Sequence, residues 1–119
     1  MISLMHTILT ALLMTLALSD IVLSGPYDGL YFTRNSSCDL NMVGIDGGPY
    51  KIEDNVFWGT EMGCELRNSV RVRGMNATLY DGQCGGEGEE WEIRYLIMET
   101  EVGIYWIADG YVMELIRCS

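Results

Sequence analysis
Four cysteines, Cys38, Cys64, Cys84 and Cys118, set the terms on which this chain can fold. Their spacings of 26, 20 and 34 residues contain no C-x-x-C, which argues against a tetrathiolate zinc site. An even count in a short exported chain reads as two disulfides, and three pairings are open. The preferred pairing joins Cys38 to Cys118, closing the two ends, and Cys64 to Cys84, linking neighbouring strands.

Export is read from the start of the chain. Ile8 to Leu18 (ILTALLMTLAL) is apolar or small throughout, too short to span a bilayer as a helix and suited to the core of a signal peptide. Small residues at the required offsets occur at Ala17 with Ser19 and at Val22 with Ser24. Cleavage after Ser24 is preferred, because Pro26 and Tyr27 then begin the mature domain. The leading MISLMHT carries no lysine or arginine, and the alternative reading is an N-terminal anchor or a buried helix. The expectation is a signal peptide over 1–24 and a single disulfide-stapled β domain over 25–119. The mature product is expected to be periplasmic, or else secreted, with no membrane attachment after cleavage.

The 95 residues that remain can bury only about 60 to 65% of their unfolded surface, so covalent staples matter. Seven basic residues face sixteen acidic ones after loss of Asp20, a net charge of −9. Such a field repels phosphate backbones, and nucleic-acid binding is not expected. Arg67, Arg71 and Arg73 alternate with Val70 and Val72, which fits the solvated face of a strand.

The centre of the pattern is CGGEGEEW, Cys84 to Trp91, read as a hairpin corner in which Gly85, Gly86 and Gly88 supply positive-φ freedom. Before it, GLYFT (Gly29 to Thr33) reads as a first strand, and Cys38 to Asp46 is ambiguous. Asp46-Gly47-Gly48-Pro49 is a turn, and Tyr50 to Trp58 gives two short strands about Asp54-Asn55. The second of these is expected to run on toward Cys64. Met62, Cys64, Leu66, Val70 and Val72 share one parity and are assigned to a buried face, with Asn68-Ser69 marking a bulge or division. Ala77 and Leu79 are expected to face inward and Tyr80 to cover an edge. Trp91, Ile93, Tyr95 and Ile97 alternate with Glu92, Arg94, Leu96 and Met98 in the clearest strand. Ile104 to Ile107, an Asp109-Gly110 turn and Tyr111 to Cys118 complete the chain. The predicted fold is all-β, a small antiparallel barrel of about seven strands, with a sandwich as the alternative.

The chain's one histidine, His6, lies in the segment expected to be removed, so histidine-dependent triads and zinc sites are ruled out of the mature domain. No cofactor is expected, and calcium finds no ordered loop around Asp46 or in GGEGEE. Glu87, Glu89 and Glu90 crowd the glycine corner as a solvated acidic turn, a structural acceptor at Glu87, or the acid and base pair of a carboxylate enzyme. Trp58, Trp91 and Trp106 either pack the core or line a pocket. Asn35-Ser36-Ser37 and Asn76-Ala77-Thr78 match glycan-acceptor triplets at turns.

Several of these residues together carry a resemblance: Tyr31, Cys38, Glu61-Met62-Gly63-Cys64, Cys84-Gly85-Gly86-Glu87-Gly88-Glu89-Glu90-Trp91 and Arg117-Cys118. In this order they resemble small uncharacterised exported proteins of Gram-negative bacteria, with the closest likeness over VRGMNATLYDGQCGGEG. The resemblance implies a signal peptide and a periplasmic, disulfide-bonded β domain, and it implies no active site. The functional expectation is a protein-interaction or binding module, not an enzyme, with Trp58, Glu87, Glu89, Trp91 and Trp106 as candidate binding residues. Its partner would be an envelope protein. The alternative is a carrier holding a small apolar ligand inside the barrel, and a carboxylate-based enzyme is a third reading.

Overall fold
Period-two alternation of apolar and polar side chains generates eight strands in the computed structural model, which describes residues 25–119. They are β1 (Gly29–Phe32), β2 (Tyr50–Glu53), β3 (Val56–Gly59), β4 (Met62–Arg71), β5 (Ala77–Gly86), β6 (Glu89–Glu99), β7 (Gly103–Ala108) and β8 (Tyr111–Arg117). Each pairs antiparallel with the next, and β1 pairs with β8, so the sheet closes into a barrel in chain order. Closure leaves β1 and β8 paired with each other instead of exposed as edges. Among the described residues no helix is long and apolar enough to cross a membrane. The expected signal peptide at 1–24 lies outside the described residues.

The eighth strand comes from a turn that carries no conventional turn residue at its tip. The run from Val56 to Val72 is two strands, β3 and β4, reversed at Thr60-Glu61, where Glu61 takes φ 54°. Neither residue belongs to the Gly, Asn or Pro set that marks turns, so the reversal is hidden in the sequence.

Both disulfides join the preferred partners, Cys38 to Cys118 and Cys64 to Cys84. Cys64 and Cys84 are directly opposed on β4 and β5 and lie in the interior. Cys38 belongs to the irregular segment between β1 and β2, and its bond to Cys118 tethers that segment beside the end of β8. Two disulfides suit an oxidising, extracytoplasmic type of environment.

The interior is filled along its axis by aromatic rings. Phe57 stacks on Trp106 at 3.9 Å between centroids, Tyr95 tilts against the same indole at 4.1 Å, and Tyr50 stacks on Phe57 at 5.9 Å. Trp106 is 1% exposed and donates its Nε1–H to Tyr111 Oη at 3.3 Å. Space for the Tyr95 ring comes from Gly82 on the neighbouring strand, where a Cβ would sit 2.8 Å from the ring. The opposite end is closed by Tyr27, whose hydroxyl is 2.8 Å from Thr78 Oγ1 and whose carbonyl accepts from Tyr31 Oη at 2.6 Å. Burial raises the pKa of the Tyr31, Tyr80 and Tyr95 hydroxyls, and so keeps all three neutral.

Five side-chain assignments are corrected by one irregularity and one parity error. The register of β4 on β5 shifts between Arg67 and Val70, with Asn68 at φ 53°, a β-bulge that reverses the parity beyond it. Val70 therefore points outward and is 59% exposed, while Arg71 turns to the interior side and donates to Tyr27 Oη at 3.3 Å. Val72 falls beyond the end of β4. On β5 Leu79 faces outward opposite Leu96, and Tyr80 is a core residue packed edge-on to Tyr27. Ala77 is buried as expected.

Candidate binding sites on the barrel surface
The five residues singled out in the sequence fall in three places. Trp106 is core. Glu87, Glu89 and Trp91 come together at one mouth of the barrel, and Trp58 stands apart on the outer wall.

The mouth is built by the β5–β6 hairpin. Its two-residue turn is Glu87-Gly88, both at positive φ (50° and 80°), the geometry that matches the twist of paired strands. Of the three corner glycines only Gly88 needs positive φ. Gly86 serves close approach instead, since a Cβ there would lie 2.4 Å from the Glu61 carbonyl oxygen. The hairpin thus sits against the β3–β4 turn, forming a hollow of about 240 Å³ lined by Glu61, Met62, Glu87, Glu89 and Trp91. A hydrogen bond with Glu87, reinforced by the Glu87 charge, holds the Glu61 carboxyl above the ordinary carboxylate range. Among the described residues no group of three His, Cys, Asp or Glu side chains is placed to hold a metal ion.

The second site is a groove on the outside of β1, β2 and β3. Trp58 pairs across the sheet with Lys51 on one side and Gly63 on the other. Because Gly63 has no side chain, the indole lies down on it, and a Cβ there would be 3.0 Å from the ring. The indole remains 44% exposed. Beside it a hollow of about 360 Å³ is lined by Val43, Lys51, Glu53 and Trp58 among others. A second hollow of about 330 Å³ continues past Lys51 and Glu53 to Leu30 and Leu40. Lys51 Nζ and Glu53 Oε2 form an ion pair at 2.7 Å where the two hollows meet.

One wall of this groove is the β1–β2 segment. Its 3₁₀ turn, Leu40–Met42, is capped by Asp39, whose Oδ1 accepts from the Asn41 amide at 3.0 Å. The segment is pinned by Ser37 N–H to Gly47 O at 2.9 Å, by Glu61 N–H to Gly44 O at 2.8 Å, and by the Cys38–Cys118 bond. Leu40, 61% exposed, is held over the sheet by these ties. Leu40 and Lys51 were not picked out from the sequence, and Glu61 was noted there only within the Glu61-Met62-Gly63-Cys64 motif. Leu40 offers one signal, an apolar residue in a short polar stretch directly after a cysteine.

The class defined at this point is a disulfide-stapled, eight-stranded up-and-down barrel with a filled core and an aromatic-bearing outer groove. No known protein family, curated protein or solved structure matches the chain.

Proposed function
We propose that the mature domain is an exported, periplasmic protein-interaction module that engages another envelope protein through the Trp58 groove. The observation that carries this reading is the exposed Trp58 indole, set on a rigid strand in a groove whose far wall is held by a disulfide. Tryptophan is among the residues that dominate binding energy at protein interfaces, and a preorganised surface lowers the ordering cost of association. The ring stack along the barrel axis occupies the space a carried ligand would need, which turns the reading to the outer surface. The mature domain carries no histidine and no free thiol, so acid–base work would fall to carboxylates.

The test uses the oxidised mature domain and its Trp58→Ala variant as paired baits in envelope extract, with each captured protein then purified and its affinity measured by calorimetry. A protein that binds the wild type and loses about tenfold or more in affinity for the variant supports the reading. Equal binding to both baits removes the groove from the account.

A further inference from the structure
We infer that the occupant of the groove is a basic, apolar segment of a partner protein, with a leucine-like anchor between Leu30 and Leu40 and an arginine or lysine over the open face of Trp58. This inference rests on the groove reading above and adds the chemistry of the partner.

Three observations carry it. First, the groove has two unlike halves. The hollow at Leu30 and Leu40 offers aliphatic contacts, whereas the hollow at Trp58 is bordered by Asp54 and by Glu53 paired to Lys51. An indole with one face on backbone and the other open, flanked by carboxylates, attracts a guanidinium or ammonium through the ring quadrupole as well as by charge. Second, the charge of the whole groove is negative: Asp28, Glu53 and Asp54 line it against Lys51 alone, a net −2, and Lys51 is already paired to Glu53. The whole chain is acidic in the same sense, at −10, so encounter with a basic partner is favoured and with another copy of itself opposed. Third, the two hollows adjoin at Lys51 and Glu53, so neighbouring same-face side chains of one extended segment can reach both. Alternate residues of an extended chain point to one face at a spacing of about 7 Å.

The experiment uses two synthetic peptides, one alternating leucine and arginine with serine between them, the other identical with glutamate for arginine. Binding to the oxidised mature domain is measured by calorimetry at low and high salt. The expected result is at least about tenfold tighter binding of the arginine peptide, weakened by salt and lost in Trp58→Ala and in Leu40→Ser. Val112→Ser, at an exposed outward position on β8, leaves it unchanged. Equal affinity for the two peptides, still dependent on Trp58, overturns the basic-partner inference and leaves the groove reading standing. Absence of binding by either peptide overturns the inference. So does a wild-type dimer in sedimentation equilibrium that Trp58→Ala dissociates, or Trp58-dependent binding to phosphatidylcholine vesicles, since each names a different occupant.

Discussion
Gly82 is the residue on which the packing of the aromatic axis turns. Its missing side chain admits the Tyr95 ring, and Tyr95 in turn supports Trp106. Gly82→Ala drives a methyl into that ring at a site with no slack, at a cost of about 1 to 3 kcal/mol, and should lower the Tm by about 5 °C or more. An unchanged melting curve would show that the ring can move aside. Glu61 makes a second residue-scale case. Its pKa is raised in the folded protein, so its contribution to stability is present at low pH and is lost as pH rises past the ordinary carboxylate value of 4.5 and through the raised one. Glu87→Gln should bring the Glu61 titration back down, followed through its side-chain carboxyl resonance by NMR. A Glu61 midpoint that stays where it was would place the cause elsewhere. Only the second feature was partly legible. The corner around Glu87 stands out as a glycine-rich hairpin, but its partner Glu61 does not, because it occupies a left-handed turn position without the usual residue type.

At the scale of elements, the two disulfides do different work. Cys64–Cys84 joins directly paired strands inside the barrel, while Cys38–Cys118 spans 80 residues and holds the wall of the groove. Loop-closure entropy gives each a stabilisation of about 3 to 4.5 kcal/mol, larger for the longer span. Cys64 and Cys84 are buried and Cys38 is exposed, so a mild water-soluble phosphine should open Cys38–Cys118 first. Differential alkylation with mass spectrometry reads the order. The Cys38→Ser, Cys118→Ser double variant should keep the barrel's far-ultraviolet dichroism and lose groove binding. Retained binding would mean that hydrogen bonds alone hold the wall. The strands follow from period-two alternation, which local chemistry dictates, whereas cysteine spacing left three pairings open, of which the preferred one is the one formed. The bulge at Asn68 was marked in the sequence, yet its consequence for Val70 and Arg71 was not, because a bulge reverses parity only if the extra residue stays unpaired. That is a property of the partner strand β5.

For the whole molecule, the account separates a scaffold from a surface. The scaffold is a closed barrel with its axis filled by rings and one end plugged by Tyr27. The surface is the Trp58 groove, which the sequence reached only through its tryptophan. Leu40 and Lys51 join it because closure of the barrel and the Cys38–Cys118 bond bring distant segments together, and no local pattern encodes that. The most direct test of the central claim places a photo-crosslinking amino acid at Leu40 in the protein expressed in its native cells, with a second version at Val112, an exposed outward position on β8. The account predicts one discrete protein adduct at Leu40 that disappears in the Trp58→Ala background, and none at Val112. No adduct at Leu40, or one indifferent to Trp58, would contradict it.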